Sequence, residues 1–534
     1  AIACLQFAFI IKSNHSSLFS FDPLRSDAPV LSNGTQTLNV NENLDAKRKA
    51  KSGHKEKGEG ETRGNQEDEE KLNIVLLYGD DWRYDTLSAA GHPVVKTPNL
   101  DRLAKNGVHF THNCVTTSVC WISRATLYTG QYLSRHKAKK IAGDHNFVGH
   151  NWKNTMPGRL LDAGYYTGLV GKWHHSNFTQ RMFNFSRVYY GSHWEKDFRE
   201  GEIHVTKKNE RDALEFLRER PRQSKSSKSK DGKKNDNPFF LLVSFFATHA
   251  EDSNPLQYLP QNESMKLYQN VEVPLGPTTN NPNSWDRLPH FFDDTNEGRK
   301  RWKLRHDEPE KHQRMMKNLY RMATEVDTSC GKIIEELEHQ GVLNKTLVIF
   351  TTDNGNIHGE HGLADKWYPY QDSIRVPLIV WDPRMEEEDR GMVIDEFTLN
   401  VDLAPTILGA AGGMVGKSMQ GRDISELYRK RSRAGGEYDS NVRARVDKEE
   451  HKVDWRKEFF YEYPLLLGKN RIPSSEALVR KDFKYMWWPD WGLEQLFDLA
   501  KDPFEEFDLI GDPKQWHRLV EMRHRFAQLK QEAE

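Results

Sequence analysis

Asn73-Ile74-Val75-Leu76-Leu77-Tyr78-Gly79-Asp80-Asp81 opens with an unbroken apolar run, closes it with a glycine and follows it at once with two carboxylates. A run without polar alternation is the pattern of a strand covered on both faces, as in a parallel sheet. Similar runs follow at residues 167–170, 239–246, 347–351 and 376–380, and helical patterns intervene at 99–105, 211–218 and 315–338. Strands alternating with helices predict an α/β fold: a large mixed, mostly parallel sheet sandwiched by helices. In such sheets ligands bind beyond the carboxyl ends of the strands, so the residues after each run are the ones to inspect.

Those residues are polar in a coherent way. The first run leads into Asp80 and Asp81, and the run at 347–351 leads into Asp353 and Asn354. A lone Asp-Asp pair is most often a turn or a helix cap. Two such pairs at strand ends make an all-oxygen donor set, which suits a hard cation such as calcium or magnesium. Lys172 and His174 follow a second run, His249 follows a third, and Lys366 lies in the loop after Asp353. Singly, each is the kind of histidine or lysine found on any surface. Their shared placement favours an anion site with acid and base groups.

Bulk properties set the frame. The chain has 534 residues, enough for one large domain and a smaller one. Lysines plus arginines (77) balance aspartates plus glutamates (78), so overall charge gives no case for a nucleic-acid partner. Four cysteines (Cys4, Cys114, Cys120 and Cys330) are too few for a disulfide scaffold; Cys114 and Cys330 either pair or stay as core thiols, and the second is the simpler expectation. The apolar opening from Ala1 to Ile11 reads as the tail of a signal peptide or anchor. Asn-x-Ser/Thr acceptors at Asn14, Asn33, Asn177, Asn184, Asn262 and Asn344 fit the secretory pathway, whether the final address is secreted, lysosomal or lumenal.

Composition also divides the chain. Residues 1–70 combine that remnant with a polar tract expected to be disordered. Residues 71–430 carry the α/β domain, with a Ser/Lys-rich surface insertion at 221–236. Residues 431–455 form a charged linker, and 456–534 form a small module of antiparallel strands, such as 477–480 and 483–488, followed by a helix from about Pro513. The aromatic group Tyr485, Trp487, Trp488 and Trp491 reads as core packing ahead of sugar stacking.

The stretch Ser118-Val119-Cys120-Trp121-Ile122-Ser123-Arg124-Ala125-Thr126-Leu127-Tyr128-Thr129-Gly130 resembles the signature of the formylglycine-dependent sulfatases of the alkaline phosphatase superfamily. Cys120, Ser123, Arg124, Leu127, Thr129 and Gly130 match it, while Ile122 stands where that family carries proline or alanine. A helix is expected to start near Ser123, just after Cys120. Further blocks are similar and in family order: Gly171-Lys172-Trp173-His174, Asp353-Asn354-Gly355, Ile374-Arg375-Val376-Pro377 and Asp402-Leu403-Ala404-Pro405-Thr406.

The resemblance implies a sulfuric ester hydrolase. Cys120 would be oxidised to formylglycine by a formylglycine-generating enzyme, and one hydroxyl of the hydrated aldehyde would attack sulfur while the other later expels sulfate. Asp80, Asp81, Asp353 and Asn354, with the modified Cys120, would hold one calcium ion. Arg124 and Lys172 would steady the diol, His174 would take a proton from its second hydroxyl, and His249 with Lys366 would protonate the leaving alcohol. The implied partner is a sulfated carbohydrate or another sulfate ester. Two alternatives stand beside this: a phosphomonoester or phosphonate hydrolase of the same superfamily, and a catalytically silent protein that binds sulfated glycans.

Overall fold

The computed structural model describes residues 71–139, 151–175, 178, 180–221, 237–279, 281–429 and 453–534. The expected amino-terminal remnant and polar tract, the Ser/Lys-rich insertion and most of the charged linker lie outside the described residues.

An eight-stranded sheet organises the chain. Its strands are β1 (Asn73–Gly79), β2 (Val108–Phe110), β3 (Tyr166–Gly171), β4 (Phe185–Val188), β5 (Phe239–Ser244), β6 (Thr346–Thr352), β7 (Leu378–Trp381) and β8 (Met392–Ile394). They lie in the order β8-β2-β7-β6-β1-β5-β3-β4. From β6 to β4 every pair is parallel. β7 runs antiparallel to both β6 and β2, so the run at 376–380 is a strand of the opposite sense to its neighbour.

Side chains that alternate along a strand point to opposite faces, and here both faces are apolar. Val75, Leu77, Leu241, Val243, Val348 and Phe350 meet one core. Into it pack α1 (Pro98–Lys105), α4 (Val205–Glu219) and the long α6 (Pro309–His339). Ile74, Leu76, Leu242, Leu347 and Ile349 meet the other, covered by α3 (Met156–Asp162) and α7 (Leu403–Ala410). At about 1.5–3 kcal/mol for each fully buried aliphatic side chain, this two-sided burial fixes the central strands and therefore where they end. Cys114 and Cys330 are buried free thiols, each packed in a different apolar cluster, in keeping with the simpler expectation.

The carboxyl-terminal strands β9 (Glu458–Tyr463), β10 (Ser475–Arg480), β11 (Phe483–Trp488) and β12 (Leu493–Asp498) form an antiparallel sheet. One face packs on the segment around Val119 and Ile122. The other receives Leu519 and Met522 of α8 (Trp516–Ala533). Trp488 and Tyr485 are buried in these two cores, and Trp491 stacks on Phe291 at 5.2 Å between ring centroids. The aromatic group is packing, as expected.

Candidate active site

Strand register brings the polar residues to one level. Gly79 of β1 pairs with Thr352 of β6, so Asp80 and Asp353 are the first residues beyond two adjacent strands. On the other flank Gly171 of β3 pairs with Ser244 of β5, placing Lys172 at the same edge. The turn after β3 needs its glycine: φ is +96° at Gly171, and a Cβ there would meet the Ser244 carbonyl oxygen at 2.1 Å.

Cys120 opens the helix α2 (Cys120–Thr129) rather than preceding it; the expected start near Ser123 falls three residues late. Val119, the N-cap, is extended and offers no capping side chain, so the sequence carries no start signal of the usual kind. Ile122, fully buried, joins the core shared with the carboxyl-terminal sheet. One turn after Cys120, Arg124 is also fully buried. Its Nε and Nη2 donate to Asp353 Oδ2 at 2.9 and 2.7 Å, and its Nη1 donates to Ser244 Oγ at 2.5 Å. Ser244 was not foreseen: it looks like the last residue of an apolar strand, and only the third dimension turns it toward the guanidinium.

Two lysines complete the set. Lys172 pairs with Asp80, and Lys366 pairs with Asp81 while also lying 3.1 Å from the Cys120 sulfur. His249 Nε2 is 3.6 Å from Asp81 Oδ2, and its Nδ1 is held by the Ala250 carbonyl at 2.6 Å. Asn354 donates its amide to Asp81 Oδ1 at 2.7 Å. His174 rests against the ring of Trp121, the residue after Cys120, at 5.9 Å between centroids. Every site residue expected from the sequence therefore converges here. Three of the positions carry or border left-handed backbone at non-glycine residues: Asp81, His174 and the two neighbours of Lys366, Asp365 and Trp367. Such conformations persist only where surrounding contacts hold them, and they concentrate at functional sites.

Three carboxylates and three cations, all buried, make a set that is neutral in sum but finely biased. Burial, and after it the charge of Asp353, raise the Asp80 carboxyl. Asp81 is pushed up to about 7 by burial, against the pull of Lys366. At Asp353 burial acts in the same direction, yet Arg124, Lys172 and Lys366 outweigh it and hold the carboxyl below its ordinary range. Burial drives the Cys120 thiol well up despite two neighbouring lysines, so an unmodified Cys120 is a poor nucleophile at neutral pH. Burial and nearby cations keep His174 and His249 neutral, the state in which an imidazole can accept a proton.

The donor chemistry fits a metal ion. Asp80, Asp81, Cys120 and His249 each offer a ligand atom within 4.8 Å of the others. Asp80 Oδ1 and Asn354 Oδ1 are buried oxygens without a hydrogen-bond partner. Buried acceptors are rarely left so, and two on one edge are what a hard, oxygen-seeking cation would satisfy.

Comparison with known proteins agrees with this chemistry. The sulfatase family model matches residues 72–414, and the model described as N-sulphoglucosamine sulphohydrolase, C-terminal, matches residues 359–532. An arylsulfatase of Clostridium perfringens is 26% identical over 504 residues, covering 85% of this chain and 93% of that protein. Human N-acetylglucosamine-6-sulfatase is 27% identical over 382 residues, covering 67% and 64%. Among solved structures, BT4656 in complex with its substrate D-glucosamine-2-N,6-O-disulfate superposes with a TM-score of 0.68 at 21% identity, covering 87% of this chain and 98% of that one. The phosphonate monoester hydrolase of Agrobacterium radiobacter superposes with a TM-score of 0.62 at 22% identity, covering 87% and 96%. These two likenesses speak to the fold alone.

Fold and site together define an α/β hydrolase of anionic esters. The chain belongs to the sulfatase family of the alkaline phosphatase superfamily, and is a sulfuric ester hydrolase.

Proposed function

We propose that the protein removes sulfate from a sulfated carbohydrate in the secretory pathway, using a formylglycine made from Cys120 and one bound calcium ion. The observation that carries this reading is the convergence of three buried carboxylates and three buried cations on Cys120, with two acceptor oxygens left unpartnered. When present, the hydrated aldehyde supplies the nucleophile and calcium polarises a sulfate oxygen. Asp80, Asp81, Asp353 and Asn354 would hold the ion. A divalent cation added to a set that is neutral in sum leaves positive charge to meet an anionic ester.

The chain's own groups divide the remaining work. Lys172 and Arg124 orient the nucleophile and balance its charge from the β3 and β5 side. His174, neutral and backed by Trp121, accepts the proton at the second hydroxyl. His249 and Lys366, both beside Asp81, stand on the leaving-group side; the protonated Lys366 ammonium is the group with a proton to give to the departing alcohol, and the neutral His249 lies beside it. Carbohydrate as substrate is supported by relatives named for N-acetylglucosamine-6-sulfate and by the disulfated glucosamine bound to a protein of the same fold. Passage through the secretory route is supported by acceptor asparagines on exposed positions, Asn184, Asn262 and Asn344. It would also bring the chain to the formylglycine-generating enzyme.

The test is turnover of 4-nitrophenyl sulfate, 4-nitrophenyl phosphate and a phenyl phosphonate by protein made in cells that carry the modifying machinery. Sulfate turnover well above the other two is expected, followed by release of sulfate from sulfated glucosamines. Dominant phosphonate turnover would overturn the sulfatase reading, and glycan binding with no turnover would replace it by the silent alternative.

A further inference from the structure

The carboxyl-terminal sheet contributes no reacting group, yet one of its side chains touches both loops that do. Tyr461, in the middle of β9, is fully buried. Its hydroxyl donates to the Trp367 carbonyl at 2.7 Å and accepts from the Ser118 N–H at 3.4 Å. Trp367 follows Lys366, and Ser118 stands two residues before Cys120. One phenol therefore bridges the nucleophile segment and the lysine loop, whose functional atoms meet at 3.1 Å.

The lysine loop needs such an anchor. Asp365 and Trp367, on either side of Lys366, have φ of +80° and +86°, a region that side-chain-bearing residues leave unless contacts hold them. On one side Asp365 is held by Arg305, at the end of α5 (Glu297–Arg305), at 3.1 Å. On the other side the backbone of Trp367 is held by Tyr461. The nucleophile segment is tied to the following loop a second time, through Ser118 Oγ and the Ser373 carbonyl at 2.8 Å, but that tie does not reach Lys366.

We propose that Tyr461 is a positioning residue for sulfate ester hydrolysis: its hydroxyl sets the distance between Lys366 and the side chain of residue 120. A tyrosine hydroxyl has one hydrogen to give and lone pairs to receive, and here both functions are used in opposite directions. Removing it leaves a buried N–H and a buried carbonyl without their shared partner and frees the loop to relax. A displacement of the order of 1 Å at a reacting group costs about 100-fold in rate. Substrate binding, made largely by other groups, would change little.

The inference rests on the sulfatase reading, and its test separates the two. Parent protein, Tyr461→Phe and Phe460→Leu are compared for aldehyde content at residue 120, melting temperature, and kcat and KM for 4-nitrophenyl sulfate. Phe460 is the neighbour on the same strand, but it faces Phe526 of α8, so its variant reports the cost of loosening the sheet alone. The expected result is aldehyde in all three, a kcat for Y461F lower by about 10- to 100-fold with KM within about two-fold, and a parent-like kcat for F460L. If Y461F does not fold, 4-fluorophenylalanine at 461 fills the hydroxyl's volume without donating, and the same fall is expected. A kcat unchanged in the residue-461 variant, or lowered equally in F460L, overturns the inference. A parent that carries no aldehyde and turns over no sulfate ester sinks the functional reading instead.

Discussion

Two buried ion-pair sets in this molecule look alike in composition and differ in what they leave over. In the carboxyl-terminal part, Lys484 is fully buried against Glu505; its ammonium also donates to the Pro369 carbonyl at 2.7 Å, and the second Glu505 oxygen accepts from the Gln371 N–H at 2.7 Å. Both Glu505 oxygens and the Lys484 ammonium there have protein partners. At the edge of the main sheet, the Lys172–Asp80 and Lys366–Asp81 pairs are equally buried, but Asp80 Oδ1 and Asn354 Oδ1 are left without partners; left-handed backbone occurs in both sets, at Glu505 as at Asp81, and does not separate them. Buried charge by itself marks neither stability nor function. The unspent acceptor oxygens separate the functional set from the satisfied one.

The comparison breaks most visibly at the nucleophile. Cys120→Ala is expected to lower kcat/KM for an aryl sulfate by about 10⁴-fold or more, with a melting temperature no lower than the parent's, read by steady-state kinetics and calorimetry on the same preparation. Asp353→Asn, which weakens the Arg124 clamp and a cation ligand together, is expected to cost at least about 100-fold. The satisfied set should behave in the reverse way. Lys484→Met strands a buried Glu505 and is expected to destabilise by about 3–5 kcal/mol, while the kcat of the folded fraction stays within about two-fold. A Lys484 variant that loses turnover without losing stability would erase the distinction.

A chelator provides a sharper version. Stripping divalent cations is expected to abolish turnover and lower the melting temperature, with calcium restoring both; calcium held at 100 times its dissociation constant would contribute about 2.7 kcal/mol. No chelator effect is expected on the melting of a variant lacking Asp80 and Asp353 carboxylates.

The smallest effect concerns a carboxyl away from both sets. Glu325 of α6 is pushed up to about 7 by burial, although the Gln261 backbone N–H and Ser264 favour its ionised form; His204 Nδ1 is 3.7 Å away and burial keeps that imidazole neutral. Its folded-state value lies above that of the unfolded chain, so the folded state binds the extra proton. The contribution is complete at low pH and is lost as pH rises through about 7. Glu325→Gln removes that loss, so a stability gain on the order of 1 kcal/mol is expected near pH 8 and little near pH 5, read from denaturant midpoints.

Much of this architecture was legible in the sequence because hydrophobicity writes it there. The runs at β1, β3, β5 and β6 carry two-sided burial in their composition, and their ends therefore located Asp80, Lys172, His249 and Asp353. Direction is not written in that way: an apolar run has no polarity, and β7 read like its parallel neighbours although it runs the other way. The start of α2 was misplaced because Val119 caps it without a polar side chain. Ser244 and Tyr461 were invisible for the same reason as each other. Both sit in strands whose sequence is explained by core packing, and their hydroxyls gain meaning only when register and sheet packing bring Arg124, Ser118 and Trp367 to them.

The most direct test of the central claim is the mass of the tryptic peptide spanning residues 106–124, taken from protein that turns over an aryl sulfate. The account predicts an aldehyde in place of the Cys120 thiol, in a fraction that rises and falls with specific activity. An intact thiol in every molecule of active protein would contradict it, because turnover would then proceed without the aldehyde-derived nucleophile.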